Sequence, residues 1–163
     1  MLAAMRMAIS LLKLRIGFAI AASALAGIAA ASGPSPSLWQ SVGLALAVLG
    51  ASGAAGAFNH YYERDLDRLM KRTRSRPFAS GLFQASPLWP AGFLVLLVAS
   101  LALAAATGGT MAAAFVFLGA FTYGIVYTVW LKRRSVWNIV VGGLAGSFAV
   151  LAGAAAVDPS PQV

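Results

Sequence analysis

The chain contains five apolar segments, each close to the roughly 20 residues that an α-helix needs to cross the hydrocarbon core of a bilayer. Glycine, proline or charged residues separate these segments, and none of the five is interrupted by a charge near its centre. We therefore predict an all-α protein, a polytopic transmembrane helix bundle that forms one domain over residues 1–163. The predicted helices cover about residues 9–31, 38–62, 86–106, 111–131 and 136–157, with a turn at 107–110.

The composition points to the same class of protein. Hydrophobic residues make up 60% of the chain and charged residues only 10%, whereas a soluble domain carries about 25% charged residues. So few charges are not enough to cover the surface of a soluble domain. The chain has no cysteine, which excludes disulfide bonds and thiolate metal sites.

The placement of the basic residues predicts an orientation in the membrane. All twelve lysines and arginines lie before or at the start of the first helix, between the second and third, or between the fourth and fifth. Because five spans bring these three groups to one side, the positive-inside rule makes that side cytoplasmic. We predict a multi-pass protein of the inner (plasma) membrane, with the N-terminus and the 63–85 loop in the cytoplasm. The net charge of +8 therefore indicates a lipid bilayer as partner, and not a nucleic acid.

The end of the second helix carries the residues with the most chemical potential. Asn59, Glu63 and Asp67 are spaced i, i+4, i+8, which puts them on one helical face if the helix continues as far as Met70. An amide and two carboxylates are hard oxygen ligands of the kind that Mg²⁺ uses together with substrate phosphates and water. The basic residues that follow suit phosphate oxygens, and they are Lys71, Arg72, Arg74 and Arg76. The pattern suits a Mg²⁺-bound diphosphate with an apolar tail.

Simpler interpretations of the same residues stay open at this point. The two carboxylates could pair with the neighbouring Arg64, Arg68 or Lys71, and a basic stretch after a membrane helix is often only a topology signal. His60, the only histidine, is predicted to be a hydrogen-bonded structural residue. An oligomeric transporter or channel subunit is a further alternative, although the helices lack the intramembrane charges that mark a transport pathway.

The loop also resembles a known family. The run Asn59-x-x-x-Glu63-x-x-x-Asp67, followed by the sequence from Met70 to Pro77, resembles the first acidic motif of the UbiA-type intramembrane prenyltransferases, and most closely that of the protoheme IX farnesyltransferase (heme O synthase) family. Residues 127–146 resemble the signature of that family between its fourth and fifth helices. Lys13-x-Arg15 resembles the Lys-Pro-Arg that opens its first helix, with Leu14 in place of the proline.

The resemblance implies an enzyme and a substrate. It implies a prenyltransferase that moves a farnesyl group from farnesyl diphosphate to a vinyl group of protoheme IX (heme b), giving heme O, with Mg²⁺ as cofactor. Asn59, Glu63 and Asp67 would be the catalytic residues that hold the metal and diphosphate. The predicted diphosphate-binding residues are Lys71, Arg72, Arg76, Lys132 and Arg133. No residue is assigned to heme.

The length of the chain differs from the family pattern. The family has nine transmembrane helices and a second aspartate-rich motif on a later cytoplasmic loop, whereas Asp158, the only acidic residue outside the 63–85 loop, is predicted to lie on the opposite side of the membrane. We therefore expect the N-terminal half of such an enzyme, inactive by itself and completed by a C-terminal half or a second subunit. The alternatives are prenyl transfer to an aromatic quinone precursor and a non-catalytic truncated membrane protein.

Overall fold

The structure is a computed structural model that describes residues 9–158. The ordered elements begin with α1 (Leu14–Ala30), α2 (Leu38–Tyr62) and the short α3 (Arg64–Leu69). They continue with α4 (Leu88–Phe121), a π-helical segment (Thr122–Leu131) and α5 (Asn138–Val157). Residues 9–158 contain no strand, so the predicted all-α class is confirmed.

The residues from Leu88 to Leu131 form two membrane-length helical segments on either side of Gly109, which we call the first leg (88–108) and the second leg (110–131). Within residues 9–158, three helical stretches are long and apolar enough to cross a membrane: Leu38–Tyr62, Leu88–Leu131 and Asn138–Val157. A straight helix of 44 residues would be about 66 Å long, twice the roughly 30 Å of a bilayer core. Gly109 breaks this helix with a φ of 85°, a backbone conformation that glycine adopts without penalty. The turn predicted at 107–110 contains this break.

The two legs run in opposite directions along α2. The first leg is antiparallel to it, since Gly50 packs against Ser100 and Gly43 against Thr107. The second leg is parallel to it, since Gly124 lies beside Ala55 near the end of α2. The start of the first leg, the end of the second and the end of α2 therefore meet at one end of the bundle.

The first helix differs from the prediction. A continuous helix was predicted over residues 9–31, but Lys13 has left-handed backbone angles (φ 49°, ψ 43°), and α1 begins at Leu14 after it. Such a conformation costs a residue with a Cβ atom roughly 1–2 kcal/mol. The break brings the aliphatic part of Lys13 against Gly56 of α2.

Two further boundaries depart from regular α-helix. Glu63, with φ −92° and ψ 3°, separates α2 from α3, so the helix does not continue unbroken to Met70. Its N–H still donates to the Asn59 carbonyl (3.1 Å), and the Asp67 N–H donates to the Glu63 carbonyl (2.9 Å), which preserves the i, i+4 spacing. The predicted α-helix over 111–131 is π-helical from Thr122 onward, a form that often marks functional sites.

Small residues allow the helices to pack closely, as they do in lipid. A Cβ atom at Gly27 would lie 2.1 Å from the Val150 carbonyl oxygen, and one at Gly153 would lie 1.9 Å from the Ala24 carbonyl oxygen. The backbones of α1 and α5 are therefore in direct contact. Large apolar side chains such as Leu94 and Ile139 are exposed on the outside, which suits a lipid-facing surface.

Candidate active site

Three polar side chains, which we call the acidic row, are buried where α2 meets α3. Asn59, Glu63 and Asp67 are only 1%, 3% and 3% exposed. The Asn59 amide nitrogen donates to Glu63 Oε2 at 3.0 Å and to Thr128 Oγ1 at 3.2 Å. The structure therefore brings together the three residues that the i, i+4, i+8 spacing singled out, and it adds Thr128 from the π-helical segment.

Each member of the acidic row is held by a cation from a different part of the chain. Lys13 Nζ donates to Asn59 Oδ1 at 3.0 Å, and Arg76 Nη1 donates to Asp67 Oδ2 at 2.7 Å. Lys132, just after the π-helical segment, forms an ion pair with Glu63 Oε2. Buried carboxylates need such partners, because an unpaired charge is costly away from water.

Lys13, which is half-buried, also contacts the π-helical segment. Its ammonium also donates to the Tyr123 hydroxyl at 2.7 Å, and it lies 5.4 Å from the centre of the same ring. Lys13 was absent from the predicted diphosphate-binding set, and its only sequence signal was the Lys13-x-Arg15 resemblance.

The π-helical segment positions the row from the opposite side. Its backbone hydrogen bonds join residues five apart, as between the Lys132 N–H and the Tyr127 carbonyl at 2.9 Å. The Thr128 hydroxyl likewise donates to the Tyr123 carbonyl at 2.8 Å. This wide winding presents Tyr123, Thr128 and Lys132 to the same site.

An aromatic cluster holds the loop that carries Arg76. Phe78 is 1% exposed, and its ring packs edge-on against Trp89 and Phe83 at centroid distances of 5.2 and 5.7 Å. The Thr73 hydroxyl donates to the Asp67 carbonyl at 3.2 Å. These contacts fold the loop back onto the bundle end, so that Arg76 reaches Asp67.

Other predicted residues lie away from the acidic row. Lys71 and Arg72 are exposed and form no ion pair within residues 9–158. Arg133 is also exposed, and its guanidinium stacks over the Tyr62 ring at 5.5 Å. Of the five predicted diphosphate-binding residues, the structure therefore places only Arg76 and Lys132 against the row.

The structure differs from the simpler interpretations of the carboxylates and of His60. Neither row carboxylate pairs with Arg64, Arg68 or Lys71. The two arginines instead lie near the exposed Asp65, at 4.0 and 3.9 Å. His60 is 4% exposed, but its Nδ1 has no hydrogen-bond partner in the described part of the chain. The predicted hydrogen-bonded role is therefore wrong for that atom.

An apolar cavity of about 170 Å³ lies behind the row, between α1, α2, the second leg of α4 and α5. Lys13 and Tyr123 form its polar end, and its walls include Ala55, Gly146 and Ala149. An apolar cavity of roughly 150 Å³ is large enough to bind benzene. The arrangement therefore suits a ligand with an anionic head and an apolar tail.

The acidic row fits a metal bound through phosphate better than one held by protein alone. The described residues contain no group of three or more His, Cys, Asp or Glu side chains able to hold a metal ion. Mg²⁺ commonly takes one or two carboxylates and completes its shell with water and substrate phosphates. Asn59, Glu63 and Asp67 provide a donor set of that type.

The helical membrane bundle and its buried polar site define a class of intramembrane proteins, and comparison with known proteins identifies the family. Residues 20–163 match the UbiA prenyltransferase family. The chain belongs to this family.

The individual relatives narrow the comparison. The chain is 59% identical over 160 residues to protoheme IX farnesyltransferase 2 of Paramagnetospirillum magneticum (strain ATCC 700264 / AMB-1), a match covering 98% of the chain and 56% of that protein. It is 48% identical to protoheme IX farnesyltransferase 1 of the same organism, over 94% of the chain and 53% of the relative. It is 41% identical to protoheme IX farnesyltransferase of Pyrobaculum arsenaticum (strain DSM 13514 / JCM 11321 / PZ6), over 88% of the chain and 50% of the relative.

These matches confirm the resemblance that the motifs indicated. The chain spans about half the length of the curated relatives it matches. No solved structure matches it.

Proposed function

We propose that this chain forms the prenyl diphosphate site of an enzyme that transfers a farnesyl group from farnesyl diphosphate to a vinyl group of heme b, giving heme O. One observation carries the proposal: Lys13, which donates to Asn59 of the acidic row, also lines the polar end of an apolar cavity, so the row with its cations adjoins that cavity. The relatives named protoheme IX farnesyltransferase support this substrate pair over an aromatic quinone precursor.

The polar residues of the site bind the diphosphate and stabilise its charge. Bound through Asn59, Glu63 and Asp67, Mg²⁺ would supply charge neutralisation for the departing diphosphate. Lys13, Arg76 and Lys132 stabilise the negative charge that develops on the leaving group, which a preorganised polar site does more effectively than water.

The cavity serves the other half of the substrate. Its apolar walls hold the farnesyl chain and keep water from the allylic cation that forms when the carbon–oxygen bond breaks. The terminal vinyl carbon of heme b then attacks this cation, which moves the positive charge to the neighbouring carbon. Water adds there and loses a proton to solvent, giving the hydroxyethylfarnesyl group.

The orientation and the completion of the site are part of the proposal. Lys13, Arg76 and Lys132 lie at one end of the bundle, and the positive-inside rule favours the cytoplasmic side of the inner membrane for that end. A second acidic motif, on a C-terminal half or a second subunit, stays a prediction.

The test is heme O formation in lipid nanodiscs from heme b and farnesyl diphosphate, followed by chromatography, in a full-length version of the protein. Asn59→Ala, Glu63→Gln and Asp67→Asn should each lower the rate at least about 100-fold, as removal of a preorganised charge-stabilising group does elsewhere. Asp65→Asn is the matched control, since Asp65 is exposed two residues from the row, and it should leave the rate unchanged. Normal heme O production by the row variants would contradict the proposal. The 163-residue chain alone is expected to be inactive.

A further inference from the structure

The Asn59 side chain has one oxygen, and a cation already occupies it. Lys13 Nζ lies 3.0 Å from Asn59 Oδ1, whereas the Asn59 nitrogen is committed to Glu63 and Thr128. The amide therefore cannot turn to offer another acceptor without losing both donor contacts. Any metal that binds Asn59 meets the ammonium of Lys13 at the same atom.

Lys13 and a magnesium ion are in direct competition at that oxygen. Mg²⁺ binds oxygen at about 2.0–2.1 Å, so the ion and an ammonium 3.0 Å from the same oxygen would be close enough to repel strongly. A carboxylate can offer its second oxygen to a metal, but Asn59 has no second oxygen. The Asn59 oxygen has two lone pairs, but the charge repulsion across it favours the departure of Lys13 when the metal binds.

We propose that Lys13 is an exchangeable cation, which occupies the Asn59 oxygen in the free site and moves to the diphosphate when Mg²⁺ takes that oxygen. The proposal rests on the proposed function, because it assumes that the acidic row binds a metal–diphosphate. It makes Lys13 a positioning residue as well, since in the free site its ammonium holds Asn59 Oδ1 and at the same time lines the cavity.

The surroundings of Lys13 allow such a movement. Its side chain is flexible, and the residue beside its aliphatic part is Gly56, which has no side chain to block it. Its ammonium already borders the cavity next to the Tyr123 hydroxyl. The ammonium can therefore reach a diphosphate at the polar end of the cavity by a change in side-chain torsion angles. The left-handed backbone at Lys13 does not have to move.

The exchange couples the two ligands. When Mg²⁺ binds alone, the Lys13 ammonium loses Asn59 Oδ1 and gains no new partner. When Mg²⁺ binds together with diphosphate, the ammonium exchanges Asn59 Oδ1 for a phosphate oxygen. By linkage, each ligand then strengthens the other by the same factor. Removal of the Lys13 charge has effects of opposite sign: it removes a competitor of Mg²⁺ and a partner of diphosphate. A purely structural role would weaken both.

The experiment is calorimetric titration in lipid nanodiscs of the same full-length version of the protein that is used to test the proposed function. It is titrated first with Mg²⁺ alone and then with inorganic pyrophosphate at saturating Mg²⁺. Lys13→Met should tighten the binding of Mg²⁺ alone and weaken that of pyrophosphate, each by about tenfold, the scale of one charge-assisted hydrogen bond. Lys13→Arg should behave like the unaltered chain. Arg134→Met removes an equal charge from an exposed position that forms no ion pair in the described residues, and it should change neither affinity.

The outcomes separate this proposal from the proposed function. If the unaltered chain binds no pyrophosphate at any Mg²⁺ concentration, both are overturned. If it binds pyrophosphate but Lys13→Met weakens both ligands, or changes neither, only the exchange is overturned. Should Lys13→Met lose its helical circular dichroism, Lys13→Gln, which keeps a neutral donor, is read in its place with the same signs expected.

Discussion

Gly153 of α5 packs directly on the backbone of α1: a Cβ atom at this position would lie 1.9 Å from the Ala24 carbonyl oxygen. Two helices approach this closely only where neither has a side chain at the contact. Because the opposing group is a carbonyl and not a flexible side chain, it cannot move aside alone. The contact joins the helix that follows Lys13 to the helix that follows Lys132, and so it helps to hold the cavity between them.

Gly153→Ala should therefore destabilise the bundle even though alanine is the better helix former. We expect a loss of about 1–3 kcal/mol, the usual cost of forcing an extra carbon into a packed interior, measured as unfolding in detergent. Gly143→Ala on the same helix is the control, because nothing lies within 4 Å of a Cβ atom there. Equal stability of the two variants would show that α1 and α5 are not in backbone contact.

The ion pair between Arg76 and Asp67 should be costly to break from one side. Arg76→Met leaves the buried carboxylate unpaired, which typically costs about 3–5 kcal/mol of folding free energy. Adding Asp67→Asn should recover part of that loss, because no charge is then buried. Arg74→Met, an exposed position without an ion pair in the described residues, should change the unfolding midpoint little. A double variant less stable than Arg76→Met alone would contradict this account.

Thr128 links Asn59 to the π-helical segment through its fully buried hydroxyl. Thr128→Val keeps the shape but leaves the Tyr123 carbonyl without that donor, which should cost about 1–3 kcal/mol of stability. Thr107→Val is the matched control, since the Thr107 hydroxyl donates only to the Leu103 carbonyl in its own helix. The prediction fails if chemical unfolding gives the two variants the same loss.

The cavity should discriminate between ligands by their tails. A leucine at Gly146 would project into the cavity, so Gly146→Leu should weaken farnesyl diphosphate binding at least about tenfold by overfilling that space. Inorganic pyrophosphate has no tail, and its affinity should stay the same. Gly143→Leu, on the exposed side of α5, should affect neither ligand. Binding competition in nanodiscs measures both affinities, and equal losses for the two ligands would place the tail elsewhere.

Local geometry explains the part of the site that the sequence predicted. The spacing of Asn59, Glu63 and Asp67 needs only the period of a helix, and the hydrogen bonds across Glu63 maintain that period although the helix is interrupted. Gly109 has a similarly local cause, because a positive φ suits glycine and the apolar stretch is too long for one span.

Other parts of the site depend on contacts far apart in the chain. Lys13 reaches Asn59 with its backbone in a left-handed conformation, and the neighbouring sequence does not predict this conformation. The π-helical winding has no local sequence signal either, and in an α-helix Tyr123 would face away from Thr128, five residues later. Lys71 and Arg72 do not contact the acidic row, because closeness in sequence does not determine a loop's direction. That direction follows from the packing of Phe78 against Trp89.

The contact between α1 and α5 also has a consequence for how the protein is made. Gly27 and Val150 touch although roughly 120 residues separate them, a long-range pairing of the kind that slows folding. During synthesis the first helix enters the membrane well before its glycine-matched partner exists. Because residues of α5 line the cavity, the cavity is complete only after α5 has packed against α1.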